Sequence, residues 1–225
     1  MDLLRQTFSL LWKDLLLEIR RRESLLAMFF FGTLLLFVFH FAFEIPKERA
    51  AEMAPGLLWV AFIFTGTLGL TQLFQAERDN HCLEALLLCP IDRGALYLAK
   101  FLFNLLLMLL VEAVVFPLFW VLFNLASWDL LPSLFLFALI GTIGFCVLGT
   151  LFSAVTLRAR ARELLLPVVL FPLMIPVILG TVRGMEIILR TGEFQESLSW
   201  LRLLIGFDVI FFTAGFLIFE WVIEA

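Results

Sequence analysis

Residues that commonly carry chemistry are scarce in this sequence. Its 225 residues include only 3 Cys, 2 His and 1 Tyr. There is no CxxC pair and no HExxH motif, which argues against a dedicated zinc site or a disulfide framework. A dominant charge of one sign is missing as well. Sixteen basic residues face 20 acidic ones for a formal net charge of -4, so the chain carries no electrostatic footprint for nucleic acid. No GxxxxGK[ST] loop occurs either. Its nearest match, Gly144-Phe-Cys-Val-Leu-Gly149-Thr150, lacks the lysine and lies in an apolar run. Phosphate cradling needs that loop between a strand and a helix, so ATP hydrolysis does not reside in this chain.

Apolar surface is what the chain has in excess. Hydrophobic residues make up 63% of it, with 27 Phe and 6 Trp, against roughly 45–50% in soluble domains. Mean hydropathy is +1.05. A soluble chain of this size cannot hide so much apolar surface, so the bilayer is its main solvent. A spanning helix needs about 20 mostly apolar residues, and six stretches qualify: 24–43, 55–74, 96–122, 130–151, 164–182 and 203–223. More than twenty residues precede the first run and no small-residue cleavage site follows it, which argues against a cleaved signal peptide. These features predict an all-α integral membrane protein with one transmembrane domain over residues 1–225.

Basic residues orient the spans through the positive-inside rule. Eleven fall on one side: Arg5, Lys13, Arg20, Arg21, Arg22, Arg78, Arg93, Lys100, Arg158, Arg160 and Arg162. The opposite side holds five, Lys47, Arg49, Arg183, Arg190 and Arg202. Both termini are therefore expected in the cytoplasm. Residues 1–22 read as an interfacial helix running into the first span. Leu4, Phe8, Leu11, Trp12, Leu15 and Ile19 form one stripe at helical spacing, while Gln6, Ser9, Lys13 and Arg20 face away.

The cytoplasmic loop 75–94 is the most informative stretch. Its first part, QAERDNHCLEALLLCP from Gln75 to Pro90, places Glu77, Arg78, Asp79, Asn80, His81 and Glu84 within eight residues at the end of a span. Asp79 suits an N-cap, Leu83, Leu86 and Leu87 form a short apolar stripe, and Pro90 ends the helix for want of a donor. Asp92 can then cap the third span. A short amphipathic helix held at the membrane face is suited to docking in a groove on another protein. Glu77, Arg78, Asp79, Leu83, Glu84 and Leu87, with Pro90 as the stop, are the candidate docking residues.

This loop resembles the coupling helix of ABC-2 type transporter permeases. The match runs from Glu77-Arg-Asp through Leu83-Glu-Ala-Leu-Leu-Leu-Cys-Pro90-Ile-Asp-Arg-Gly-Ala to Lys100. Three further stretches narrow the resemblance: LWVAFIFTGTLGL at 58–70, the three-arginine loop near Arg158, and LLLPVVLFPLMIP at 164–176. Together they resemble the permease family of the cytochrome c maturation system, the CcmB family, over nearly the whole chain. The resemblance implies an ABC-2 type exporter permease fold and a cytoplasmic ATP-binding cassette subunit docked under the second loop. It also implies haem-handling membrane partners, haem as cargo, ATP held by the partner, and a bacterial inner membrane location. The associated role is haem delivery, or release of the haem-loaded chaperone, at the outer face during cytochrome c biogenesis. A homodimer and membrane lipid complete the expected partners; nucleic acid is not among them.

The remaining candidates lie in and between the spans. Glu112 is the one acid well inside a span, so it must face protein or water, or be neutral, because a mid-bilayer charge costs about 2.5–3.5 kcal/mol on insertion scales. Asp208 and Glu220 are expected to reach the interfaces at the two ends of the sixth span. Pro167, Pro172 and Pro176 favour a kinked fifth span, either a moving element or a fixed bend. His40 is the candidate haem ligand, imidazole being a common axial ligand; it has no second candidate on its face, and interfacial packing accounts for it better. Cys82 and Cys89 face a reducing compartment and Cys146 reads as a small buried residue. Gly66, Gly69, Gly141, Gly144 and Gly149 permit close helix approach. The outer loop 183–202 is expected as short amphipathic pieces in the interface. Three rivals stand beside the haem reading: an ABC-2 permease exporting a lipid-linked glycan or drug, a non-transporting assembly scaffold, and an intramembrane enzyme. The enzyme is poorly supported, since no GxGD, paired membrane aspartates or Ser–His pair occurs within the spans.

Overall fold

The computed structural model describes residues 3–43, 47–74, 91–125, 128–157 and 162–224. Helix α1 covers Leu3–Arg21, α2 Glu23–Ala42 and α3 Lys47–Gln72. They are followed by α4 at Arg93–Leu122, α5 at Leu131–Val155, α6 at Arg162–Thr191 and α7 at Leu198–Glu224. Single 3-10 turns at Trp128–Leu130 and Gln195–Ser197 lead into α5 and α7. No strand occurs among the described residues. Helices α2 to α7 are each long and apolar enough to cross a membrane, matching the six expected spans, with ends shifted by up to two or three turns.

Helix α5 is the centre of the bundle, packed against α3, α4, α6 and α7. Small residues bring it there. A Cβ at Gly149 would meet the Leu70 side chain of α3 at 2.5 Å, and one at Gly144 would collide with Asp208 of α7. In lipid, where tails are as apolar as leucine, such close backbone approach supplies the packing that favours association. The glycines expected to serve packing do serve it: Gly66 abuts Phe145 and Met108, and Gly69 abuts Met28. Helices α2 and α7, by contrast, present mostly exposed apolar side chains to the surroundings.

Three expectations are corrected. The single apolar stripe of α1 divides in two. Leu4, Phe8, Trp12 and Ile19 are exposed, while Leu11 and Leu15 pack partly against the core and the contact face is made of Thr7, Leu10 and Asp14. The face of α1 that meets the bundle is chosen by specific partners, polar ones included, so a stripe drawn from apolar spacing alone does not describe it. Gln6, expected to face away, instead accepts a hydrogen bond from the Asp92 backbone N at 3.0 Å. The outer loop 183–202 also shrinks, since α6 continues to Thr191, ends at Gly192 with φ +74° and is joined to α7 within a few residues. The left-handed glycine lets its N–H return to the Ile188 carbonyl at 3.0 Å and close the helix.

The elbow between α1 and α2 is sharp. Arg22 takes a left-handed conformation with φ 56°, and the Glu18 carboxylate accepts from the Leu25 N at 2.8 Å. A side chain of α1 thereby caps α2 and fixes the angle between the two helices.

Candidate functional site

The seven docking candidates Glu77, Arg78, Asp79, Leu83, Glu84, Leu87 and Pro90 lie outside the described residues, as do His81, Cys82 and Cys89. What is described is the pair of stems from which that segment springs. On the leaving side, α4 starts as expected, with Asp92 as N-cap: its Oδ1 accepts from the Gly94 N at 2.8 Å.

Lys100 ties the two stems together. It is 2% exposed, and its Nζ lies 3.0 Å from Asp14 Oδ2 of α1. The same ammonium donates to the Leu73 carbonyl at 3.0 Å and sits 5.1 Å from the centre of the Phe74 ring. Leu73 and Phe74 directly precede the 75–90 segment, and Ile91 and Asp92 directly follow it. Helix α1 therefore touches the exit stem through Gln6 and joins the entry stem through Asp14 and Lys100. Farther into the bundle, the Ser153 hydroxyl of α5 donates to the Leu70 carbonyl at 2.9 Å and the Tyr97 hydroxyl donates to the Val147 carbonyl at 3.3 Å. These contacts join α1, α3, α4 and α5 at and below the two stems.

In the sequence Lys100 reads as a cytoplasmic charge and as the end of the coupling-helix resemblance, with no partner assigned, and Asp14 is not singled out. A usable signal was present: Asp14 shares the i, i+3, i+7 face of α1 with Thr7 and Leu10, and a lone acid on a buried face calls for a basic partner.

Glu112 lies fully buried in α4, and the Thr142 hydroxyl of α5 donates to its Oε1. Of the alternatives its position in the span left open, the contact is with protein. Asp208 departs from expectation: it is buried at 7% exposure, with Oδ1 directed at Gly144 of α5. It lies ten residues into a 27-residue helix, too deep to reach an interface. Replacing Thr142 by Val keeps the shape but removes the donor from a buried carboxyl. We expect a loss of about 1–3 kcal/mol in unfolding free energy for the full chain in detergent; a change indistinguishable from zero would show that the contact is not stabilising.

His40 is half-buried, with its ring edge-on to Phe41 at 5.4 Å and to Phe123 of the α4 terminus at 5.9 Å. No group of three metal-ligating side chains occurs among the described residues. Pro167, Pro172 and Pro176 lie inside α6, which is helical from end to end. Pro172 and Pro176 are exposed on the outside of the bundle. At the far end of α6, Glu186 pairs with Arg183 at 2.7 Å and Arg190 at 3.5 Å, and Arg190 reaches Glu52 of α3 at 3.6 Å.

Comparison with known proteins agrees with this architecture. The chain is 31% identical over 195 residues to Heme exporter protein B of Pseudomonas aeruginosa, an alignment covering 86% of this chain and 83% of that protein. With Heme exporter protein B of Rhodobacter capsulatus it is 29% identical over 188 residues, covering 82% and 83%. With that of Paracoccus denitrificans it shares 28% over 149 residues, covering 66% of each. The sequence profile of the family described as CcmB protein matches residues 5–219. A match over almost the full length, on an all-helical chain with six helices able to span a membrane, places this protein in the CcmB family.

Proposed function

We propose that this chain is the permease subunit of an ATP-driven haem exporter serving cytochrome c assembly. In this reading it lies in a bacterial inner membrane with both termini in the cytoplasm. A cytoplasmic ATP-binding cassette subunit docks on the 75–90 segment beside α1. Two copies of the chain and the haem-handling membrane proteins of cytochrome c maturation complete the assembly. ATP binding by the partner pushes the docking segment, and the stems carry that push into the bundle. The outer face then delivers haem or releases the haem-loaded chaperone.

The observation that carries this reading is the Lys100 junction. A loop that merely connected two spans would need no tie to a third helix. Here Asp14, Lys100 and the Leu73 carbonyl lock α1, α3 and α4 together where the docking segment begins. The name of the relatives, Heme exporter protein B, supports haem as the cargo class. The kinked-helix role of Pro167, Pro172 and Pro176 belongs to the same proposal: prolines weaken the helical ladder of α6 beside the central α5 and provide a place to bend.

The test is a detergent pull-down of the chain from its host membranes, wild type against Glu77→Ala/Glu84→Ala. ATPase activity and holocytochrome c are assayed on the same preparations. We expect the double variant to lose both the co-purifying ATPase and holocytochrome, while the membrane bundle keeps its thermal midpoint. An ATPase partner retained in full would remove the docking assignment. Normal holocytochrome in cells lacking the chain would remove the haem reading and favour another exported substrate.

A further inference from the structure

Two carboxyls sit inside the bundle on opposite flanks of α5. Glu112 of α4 is fully buried, with Oε1 bonded to Thr142, and Oε2 has no hydrogen-bond partner among the described residues. Asp208 of α7 is buried against Gly144, and its Oδ1 likewise has no partner among them. Thr142 and Gly144 are two residues apart, about 3 Å along the helix axis. The two acids therefore occupy one level of the bundle.

No cation shares that level among the described residues. On the helices packed against α4, the charged groups are Arg5, Lys13, Asp14, Glu18, Arg20 and Arg21 on α1, Glu23 on α2, Arg49 and Glu52 on α3, and Arg202, Asp208 and Glu220 on α7; the cations among them lie on α1, in the first turn of α3 or, for Arg202, exposed six residues before Asp208. Lys100, on α4 itself, is bound to Asp14 and lies three turns away, about 18 Å along the axis. Against α7, α6 offers Arg183, Glu186 and Arg190 only at its far end, where they pair with one another and with Glu52. Tyr97 of α4 is bonded to the Val147 carbonyl. Between the two acids stands one further titratable group, the buried Cys146 thiol of α5. An ionised carboxylate without a countercharge is too costly to hold in such surroundings, and the group takes a proton instead.

A third polar group marks a route. Asn104 is fully buried, and neither its amide O nor its amide N has a partner among the described residues. Lys100, Asn104, Met108 and Glu112 recur every fourth residue, so they form one row that winds slowly round α4, by about 40° per step, from the Lys100 junction to Glu112. A buried amide of this kind is satisfied by ordered water.

We propose that Glu112 and Asp208 form an intramembrane proton-binding pair that exchanges with water along the Asn104 face of α4. In the packed bundle each carboxyl holds its proton. When α5 separates from α4 or α7 and water enters, the carboxyl O–H bond breaks, the proton passes to water as hydronium, and the carboxylate keeps the electron pair. Repacking reverses the step. The proposal goes beyond the haem-exporter reading and depends on neither a partner ATPase nor a cargo.

Infrared difference spectroscopy of the full chain in lipid vesicles, in H2O and D2O, tests it. Exposed carboxyls are ionised at neutral pH, so a protonated-carboxyl carbonyl stretch reports only shielded groups. We expect two such bands, both shifted in D2O, one lost in Glu112→Gln and the other in Asp208→Asn. Glu112→Gln keeps an oxygen to accept from Thr142, and the wild-type spectrum decides the matter even where a variant fails to fold. Asn104→Leu should slow the deuterium shift of the Glu112 band several-fold. Absence of both bands from the wild type at neutral pH, or their survival in both acid variants, would overturn the proton-binding pair. Unchanged exchange in Asn104→Leu would overturn the route.

Discussion

Asp14→Ala is expected to destabilise the folded chain by about 3–5 kcal/mol, the range for removing one member of a buried ion pair. Lys100 is 2% exposed, and the substitution removes the carboxylate that lies 3.0 Å from its ammonium. Lys100→Met should cost less, because Asp14 retains Lys13 at 3.1 Å, and Lys13 is itself partly exposed. The asymmetry is the sharp part of the expectation. Removing both charges together, as Asp14→Leu/Lys100→Met, should recover most of the loss, since an ion pair taken out of water gains little over well-packed apolar groups. Equilibrium unfolding of the four proteins in one detergent measures all of this. If the double variant is as unstable as the two single losses added together, packing rather than charge accounts for the junction. The single variants should also free α1 from the bundle, which limited proteolysis after Arg20, Arg21 and Arg22 would detect.

Gly141→Leu should cost about 1–3 kcal/mol or more, the range for overpacking a filled core. A Cβ there would run into the Trp59 ring of α3 and Thr181 of α6 from a position on the central helix. Neither neighbour can yield easily: Trp59 is fully buried beside Phe62, and Thr181 is held by hydrogen bonds to the Val177 and Ile178 carbonyls. Gly206→Leu in α7 is the control, because nothing lies within 4 Å of a Cβ built there; it should stay within about 0.5 kcal/mol of wild type. The same unfolding assay compares the two. Equal effects would mean that α5 is not tightly seated between α3 and α6.

The spans were readable residue by residue because their cause is local. Each needs only a long enough apolar run, and the residues expected to begin and end them differ from the observed helix ends mostly where a helix projects past the apolar zone, as α3 does through Lys47 and α6 does through Thr191. The Asp92 cap was equally local, a side chain two residues from the N–H it satisfies. The glycine contacts of α5 followed from residue size, although their partners did not. Asp208 was misplaced because depth along a helix was judged from the span's expected ends, and the true helix begins five residues earlier at Leu198.

Sequence by itself determined the solvent, the six spans, the family and the want of any phosphate-binding loop, since each rests on composition, on contiguous runs or on motifs short enough to read in order. Tertiary structure alone decided which polar residues meet. Asp14 and Lys100 stand 86 residues apart in sequence, Glu112 and Thr142 stand 30 apart, and Gly144 and Asp208 stand 64 apart. Whether such groups become partners depends on how helices stack and rotate in the bilayer. No apolar pattern fixes that rotation when lipid and core are equally apolar. Small residues and buried polar bonds fix it, and they act only once the helices have come together.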